Sequence, residues 1–308
     1  MKMKAAWQSR WRRAIRAGPV LLKPRCAKAR PGAGNFLAGL LAVLLIWALS
    51  GAVAHAGDGG VYIYTNAPWP PRIIYDEKSA NLSGIDIEIV REIAEAAGFE
   101  VHFTTTPWKR SLRMMALGTA DITSSCQRKP DREKYMHFLE PPYIANSTKA
   151  FYLLRGEESR IRRYEDIYGL TVGVNLKYRY SPKFDNDRRV AKHSVKKDEQ
   201  LIRMLLYNRI DAFIGTEMII DYLLIKGGHD RRILRAPFAF SEPAASHIVI
   251  SKKSGLAKKL PVLQRTMKKM VEEGAIDRII RDYFAALKDG NDPGGEGVPA
   301  RRSEKTVP

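Results

Sequence analysis

Cysteine is nearly absent from this chain of 308 residues, which has two, Cys26 and Cys126. A disulfide framework is thereby excluded, and a chain of this length can bury a sizeable core without one. Histidine is scarce as well. The six, at 55, 102, 137, 193, 229 and 247, show no close ligand spacing, so no metal site and no cofactor can be argued from them. Common catalytic signatures are missing too: there is no G-x-S-x-G elbow, no P-loop, and no G-x-G-x-x-G after a strand-like run. Acid is missing from one end. Residues 1–57 contain ten Lys and Arg but no Asp or Glu, and the first acid is Asp58.

What is there is a globular composition, 45% hydrophobic and 28% charged, long enough for about two domains. The formal net charge of +19 raises nucleic acid as a partner, but no recognition motif accompanies it. The charge is concentrated instead. After Arg30 comes an uncharged stretch with the apolar run Phe36 to Leu49, ending Ala54-His55-Ala56. A basic n-region, an apolar h-region and an A-x-A ending predict a signal peptide over 1–56, with an unusually long n-region. Taking those ten cations from 52 leaves 42 Lys and Arg against 33 Asp and Glu, a net +9. About half of the charge speaks of export to the periplasm, not of nucleic acid. An uncleaved anchor is the competing expectation, since residues 36–54 are nearly long enough to span a bilayer. Lipid attachment does not fit, because Cys26 precedes the apolar run. Cys126, left without a partner, reads as a buried thiol.

From Val61 the chain alternates β-like runs with helix-period segments. VYIYT (61–65), a helix with Ile85, Ile89 and Ile93 on one face closed by Gly98, VHFTT (101–105), a helix closed by Gly118, and DITSS (121–125) form a β-α-β-α-β series. Such a series implies a mostly parallel sheet covered by helices. The same grammar returns with LTVGV (170–174), a helix through KDEQLIRMLLYN, DAFIG (211–215) and a helix through EMIIDYLLIKGG. LRMMALGTADITS and IRMLLYNRIDAFIG echo each other as helix, tight turn, then an aspartate leading a strand. Two similar α/β lobes are expected, with two C-terminal helices at about 256–273 and 275–287 and a disordered tail over 290–308.

These residues carry a family pattern. In order they are Trp69-Pro70-Pro71, Gly84-Ile85-Asp86-Ile87, Gly118-Thr119-Ala120-Asp121-Ile122, Arg128 to Tyr135, His137 to Tyr143, Tyr164 to Val174, Asn208 to Ala212, Glu273 to Ile276, and Tyr283-Phe284. Over about 61–287 the chain resembles the extracytoplasmic solute-binding proteins of family 3, the polar amino-acid type that serves ABC uptake systems. The resemblance implies a two-lobed periplasmic-binding-protein fold (type II) with two hinge crossings. Lobe one would comprise 57–143 and 248–289 and lobe two 149–241, with crossings near 144–148 and 242–247. It also implies a monomer that closes on a small carboxylate-bearing solute and presents it to an inner-membrane ABC permease.

By the same resemblance Arg132, six residues before Phe138, would grip the solute carboxylate, a role suited to a planar and permanently charged fork of donors. Ser124 and Ser125, ending a strand, could donate to the same group, or be ordinary strand-end serines. Trp69 and Trp108 stand where the family places an aromatic wall, with core packing as the alternative. Asn66 is a further polar candidate. In lobe two the turn Asn175 to Pro182 has Lys177 where glycine is common, so a backbone cradle there is in doubt, and Lys177, Tyr178 and Arg179 become the candidates. At the position where an acid commonly meets the solute ammonium stands Thr216. Glu217, one residue later, would be the anionic partner or a helix cap. Lys177, Arg179 and Arg132, with Lys109 or Arg110, could make a cationic cleft suited to an acidic ligand, or lie on solvated faces.

Two other functions stay open. Some proteins of this fold are periplasmic dehydratases, such as cyclohexadienyl dehydratase, and Glu217 would be the general acid. A membrane-anchored ligand sensor is the other. Neither has a sequence motif of its own, and the expectation is a binding protein, not an enzyme.

Overall fold

The computed structural model describes residues 60–291. The signal peptide expected over 1–56 and nearly all of the tail expected over 290–308 lie outside the described residues. Among the described residues, no helix is long and apolar enough to cross a membrane.

The chain enters on β1 (Val61–Asn66) and makes a small antiparallel ribbon, β2 (Ile74–Asp76) with β3 (Asn81–Ser83), that the hydrophobic pattern does not announce. Helix α1 (Ile85–Ala97) follows, with Ile85, Ile89 and Ile93 fully buried, as their shared face requires. Gly98 ends it in the left-handed conformation. Its start depends on Gly84, at φ 110°. A Cβ there would lie 2.6 Å from the Arg72 carbonyl oxygen and 2.7 Å from that of Pro71. Then come β4 (Glu100–Thr105), α2 (Trp108–Leu117) and β5 (Ile122–Cys126). β1 lies between β4 and β5 and is parallel to both, which completes the expected β-α-β-α-β half. A short helix α3 (Pro130–Glu133) and β6 (Met136–Phe138) lead out of it.

The second half is reached along β7 (Ile144–Leu154). It contains β8 (Thr171–Asn175), α4 (Pro182–Asn186), β9 (Ala191–Val195), α5 (Asp198–Leu206), β10 (Ala212–Thr216) and α6 (Glu217–Lys226), with β8 parallel to both β9 and β10. The chain returns on β11 (Ile233–Ser251) and finishes with a 3-10 turn (Gly255–Lys259), α7 (Leu260–Glu272) and α8 (Ala275–Lys288). The strand order is β4-β1-β5-β11-β7-β10-β8-β9, with β6 also on β11.

β7 and β11 are the link between the halves. They pair antiparallel, Ile144 opposite Ser246, Asn146 opposite Pro243, Ser147 opposite Glu242 and Thr148 opposite Ser241. The two segments expected as crossings, 144–148 and 242–247, lie side by side in this hydrogen-bonded ribbon. Its register shifts between Pro243 and Ser246, where proline has no N–H to give the ladder.

The internal echo is structural. Gly118 donates its N–H to Met115 O and Thr119 to Met114 O, and 90 positions on Asn208 donates to Leu205 O and Arg209 to Met204 O. Gly118 has φ 80° and Asn208 φ 52°, so both turns use a left-handed residue. Asp121 Oδ2 then accepts the Ile63 N–H at 2.7 Å, and Asp211 Oδ2 accepts that of Thr171 at 2.8 Å. Each aspartate ties its own strand to the neighbouring one. Each half also has its own apolar core, around Tyr64, Ile85 and Ile122 in the first and around Phe151, Phe184, Leu201 and Phe213 in the second.

Candidate functional site

A cleft of about 1270 Å³ runs along the β7–β11 ribbon, with residues of both halves on its walls. Ser147 and Lys149 of β7 and Glu242 and Pro243 of β11 form its floor. Trp69, Arg72 and Gln127 face it from the first half, and Lys177, Tyr178, Arg179 and Thr216 from the second. Parallel strands present their carboxyl ends to such a cleft, and the residues just after β5, β8 and β10 do so here.

The first-half wall rests on a buried network. Arg72 Nε lies 3.0 Å from Asp86 Oδ1, with side-chain exposures of 8% and 0%. Tyr143 donates its hydroxyl to Asp86 Oδ2 at 2.7 Å, and Ser125 Oγ donates to the same oxygen at 2.6 Å. Arg72 donates further to the Tyr143 hydroxyl and, at 3.2 Å, to Ser246 Oγ. Burial alone would lower the Arg72 guanidinium's affinity for its proton, but Asp86 and Tyr143 more than offset it and hold the pKa above the ordinary value. The network joins the start of α1, the end of β5 and the return strand β11. Arg72 also lies 5.1 Å from the ring centre of Trp69, so it props that indole at the cleft wall.

The expected site residues fall into two groups. Trp69, Lys177, Tyr178 and Glu217 line the cleft. Trp69, 44% exposed, is available as an aromatic face. Arg132, Trp108, Ser124, Ser125 and Asn66 stand behind the wall. Arg132 Nη1 donates to the Gln127 carbonyl at 2.8 Å, its guanidinium carbon lies 5.4 Å over the Trp108 ring, and its buried Nε has no hydrogen-bond partner. Trp108 packs beside the cluster of Met115, Cys126 and Met136. Ser124 is fully buried with its Oγ 2.7 Å from the Tyr64 hydroxyl, and Ser125 is engaged by Asp86. Asn66 is buried, donates to Ser124 O at 2.9 Å and accepts from Ala67 N at 2.7 Å. Both serine hydroxyls and the asparagine amide therefore serve the scaffold, the reading left open above as the alternative for the serines.

Lobe-two candidates are similarly sorted. Lys177 donates its N–H to Asn175 Oδ1 at 3.1 Å, so this amide is occupied and does not form a cradle. The turn is held from beneath by Asp198, which accepts from Asn175 Nδ2 at 2.9 Å and from the Tyr178 hydroxyl at 3.1 Å. Burial raises the Asp198 pKa against the pull of those two donors. Glu217 is not a free anion: its carboxylate is ion-paired with Arg235, which also reaches Asp221 at 3.7 Å. Nor does it cap α6 through a side-chain bond from the N-cap position, which belongs to Thr216. Cys126 is free and buried, and burial raises its thiol pKa, as expected of a structural cysteine.

Two residues at the site were not anticipated. Arg72 follows the Trp-Pro-Pro run and gave no signal beyond its charge. Lys149 lies on the floor, 8% exposed, with its ammonium donating to Thr216 Oγ1 at 2.7 Å and to Ser147 Oγ at 2.9 Å.

Residues 61–286 match the profile of the bacterial extracellular solute-binding proteins, family 3. The L-cystine-binding protein TcyA of Bacillus subtilis is 22% identical over 227 residues, 73% of this chain and 81% of that one. The arginine-binding extracellular protein ArtP of the same organism is 24% identical over 251 residues, 78% and 91% of the two chains. Among solved structures, substrate-binding domain 2 of Lactococcus lactis GlnP in its open conformation superposes with a TM-score of 0.60 at 17% identity, covering 74% of this chain and 96% of that one.

Proposed function

The chain belongs to the bacterial extracellular solute-binding proteins, family 3, and from that premise we propose that it captures a small carboxylate-bearing solute in the cleft over the β7–β11 ribbon for an ABC-type permease. Residues 57–143 with 248–289 act as one lobe and 149–241 as the other. Solute settles on the first lobe, and the second closes over it by bending of the ribbon, for which the register shift between Pro243 and Ser246 offers a weak point. Closure requires that the solute bind the closed form more tightly than the open one. Cleavage after Ala56 releases a monomer into the periplasm.

The observation that carries the carboxylate assignment is the state of Arg132. Its Nε is buried with no partner, beside an aromatic ring and next to the cleft-lining Gln127. A buried donor left unsatisfied is unfavourable by about 1–3 kcal/mol, so Arg132, now behind the wall, has a donor to give to a carboxylate once closure brings the two together. The dehydratase reading draws no support from the geometry, because its candidate acid, Glu217, is ion-paired with Arg235.

Calorimetric titration of the purified protein with amino acids and other small acids tests the assignment. Arg132→Ala is expected to weaken binding of the cognate solute by about 2–5 kcal/mol, some 30-fold to several thousand-fold, by leaving a carboxylate unpaired. Near-native affinity in that variant removes Arg132 from the site. Failure of every carboxylate to bind the wild-type protein removes the function.

A further inference from the structure

Lys149 is an odd residue for the floor of a cleft. It sits on β7 one step past the crossing, opposite Thr216 of β10 and Phe240 of β11. The residue is 8% exposed, yet two neutral hydroxyls are the partners of its ammonium. Among the described residues no carboxylate lies within ion-pair distance of it. Glu242 and Asp185 act on it only from farther away, and burial dominates them, lowering its pKa. A lysine has three N–H donors, and the two hydroxyls take two. A buried charge without a counter-ion is expensive to hold, and folds rarely keep one without a use for it.

The neighbouring backbone points the same way. Thr216 is the N-cap of the ten-residue helix α6, but its side chain makes no capping bond and accepts from Lys149 instead. The first-turn N–H groups of α6 therefore lack a side-chain acceptor from the cap, and Met218 and Ile219 of that turn line the cleft. Glu217, the acid that could have served this end, is turned to Arg235. A buried cation and an uncapped helix start thus converge on one place.

We propose that Lys149, Thr216 and the start of α6 form an anion subsite, and that the captured solute is a diacid, an acidic amino acid or a dicarboxylate, whose second acidic group is held there. The inference rests on the reading of this cleft as the solute site, and adds the class of solute. An ammonium group brought to the same point would face the charge of Lys149, with Glu242 answering it only from farther away. The relatives named above, by their names, take cystine and arginine, so the two specificities are separable in one assay.

The test is calorimetric titration of the purified wild-type protein with succinate, L-glutamate, L-glutamine and L-arginine, repeated with Lys149→Gln and Lys149→Met. The wild type should bind one of the diacids at least about tenfold more tightly than L-glutamine or L-arginine, and the variants should lose at least about tenfold for that diacid, a larger loss than for L-glutamine. Thermal melts without ligand establish that the variants fold, and Lys149→Met should melt no lower than wild type, since it removes an uncompensated buried charge. Preference of the wild type for L-glutamine or L-arginine overturns the subsite and leaves the proposed function standing, and does so even if both variants unfold. Unchanged diacid affinity in a folded variant overturns it equally. Binding of neither diacid by wild type overturns the subsite, and the proposed function falls only if every carboxylate of the wider titration fails as well.

Discussion

Removal of the Asp86 carboxylate is the sharpest probe of how the cleft wall is held. Asp86 is fully buried, pairs with Arg72 at 3.0 Å, and accepts from Tyr143 and Ser125 at 2.7 and 2.6 Å. In Asp86→Ala the Arg72 guanidinium stays buried with no counter-charge, and two hydroxyls lose their acceptor. Breaking a buried pair from one side is destabilising by about 3–5 kcal/mol, because the survivor retains its desolvation penalty. For a body of this size each kcal/mol moves the melting temperature by roughly 2–4 °C, so the melt should fall by roughly 6–20 °C. The double variant Arg72→Met with Asp86→Leu supplies the control. It removes both charges and leaves apolar groups of similar volume, and it should recover much of the loss. Differential scanning calorimetry of wild type, Arg72→Met, Asp86→Leu and the double variant reads the cycle, with Asp86→Ala measured beside them. If Asp86→Ala melts within about 2 °C of wild type, or the double variant loses the sum of the two singles, then the network is not an electrostatic unit and the reasoning fails.

Two further outcomes follow from the same geometry. Gly84→Ala should destabilise by at least about 2 kcal/mol, since φ 110° is strained for any Cβ and the added methyl meets two carbonyl oxygens; a chemical-denaturation midpoint unchanged from wild type would refute the claim. His247 is buried, with Nδ1 3.3 Å from the Cys126 carbonyl oxygen and Nε2 3.3 Å from Glu140, and burial lowers its pKa below the ordinary 6.5. The unfolded chain then binds the proton at higher pH than the native one, so stability is complete above about pH 6.5 and falls as pH drops below it. His247→Gln should flatten that fall in melting temperature between about pH 7 and pH 5, in part only, because burial also lowers the pKa of His137. An identical slope in the variant counts against the assignment.

Elements with their own periodicity were legible in the sequence. The face of Ile85, Ile89 and Ile93, the glycine stops at 98 and 118, and the parallel runs on either side all appear where the pattern puts them, within a residue or two. The aspartates that lead β5 and β10 were visible as an echo, and the structure gives the echo its cause: each caps the amide of a neighbouring strand. What could not be read was long-range pairing. The β2–β3 ribbon is too short to carry alternation, and β9 has only Val195 buried among its five residues. The β7–β11 ribbon is long, but its paired residues lie 79 to 102 positions apart and its strands alternate poorly around Ala244 and Ala245. Read locally they look like connections; only their register makes them a ladder.

The same limit governs the site. The family resemblance pointed to Arg132 and to Lys177 in the turn, with Arg179 beside it by charge, yet which cations count is decided by their partners, and partners are tertiary facts. Arg72 faces the cleft but its charge is answered by Asp86. Arg235 faces it and is answered by Glu217 and Asp221. Lys149, just past the first crossing, drew no notice in the sequence; register places it opposite Thr216, where among the described residues it is a buried cation without an ion-pair partner. Among the described residues that line the cleft, Lys149 is the buried charge without an ion pair, while Lys177, Arg179, Arg281 and Lys288, and the acids Glu242, Asp230 and Asp277, are more exposed. A surface cation is screened and is worth little on its own, whereas a buried one acts through a lower dielectric. One lysine on the floor thus weighs more in choosing a solute than the net +9 spread over residues 57–308, and the proposed preference for diacids should survive added salt that abolishes the contribution of the more exposed cations.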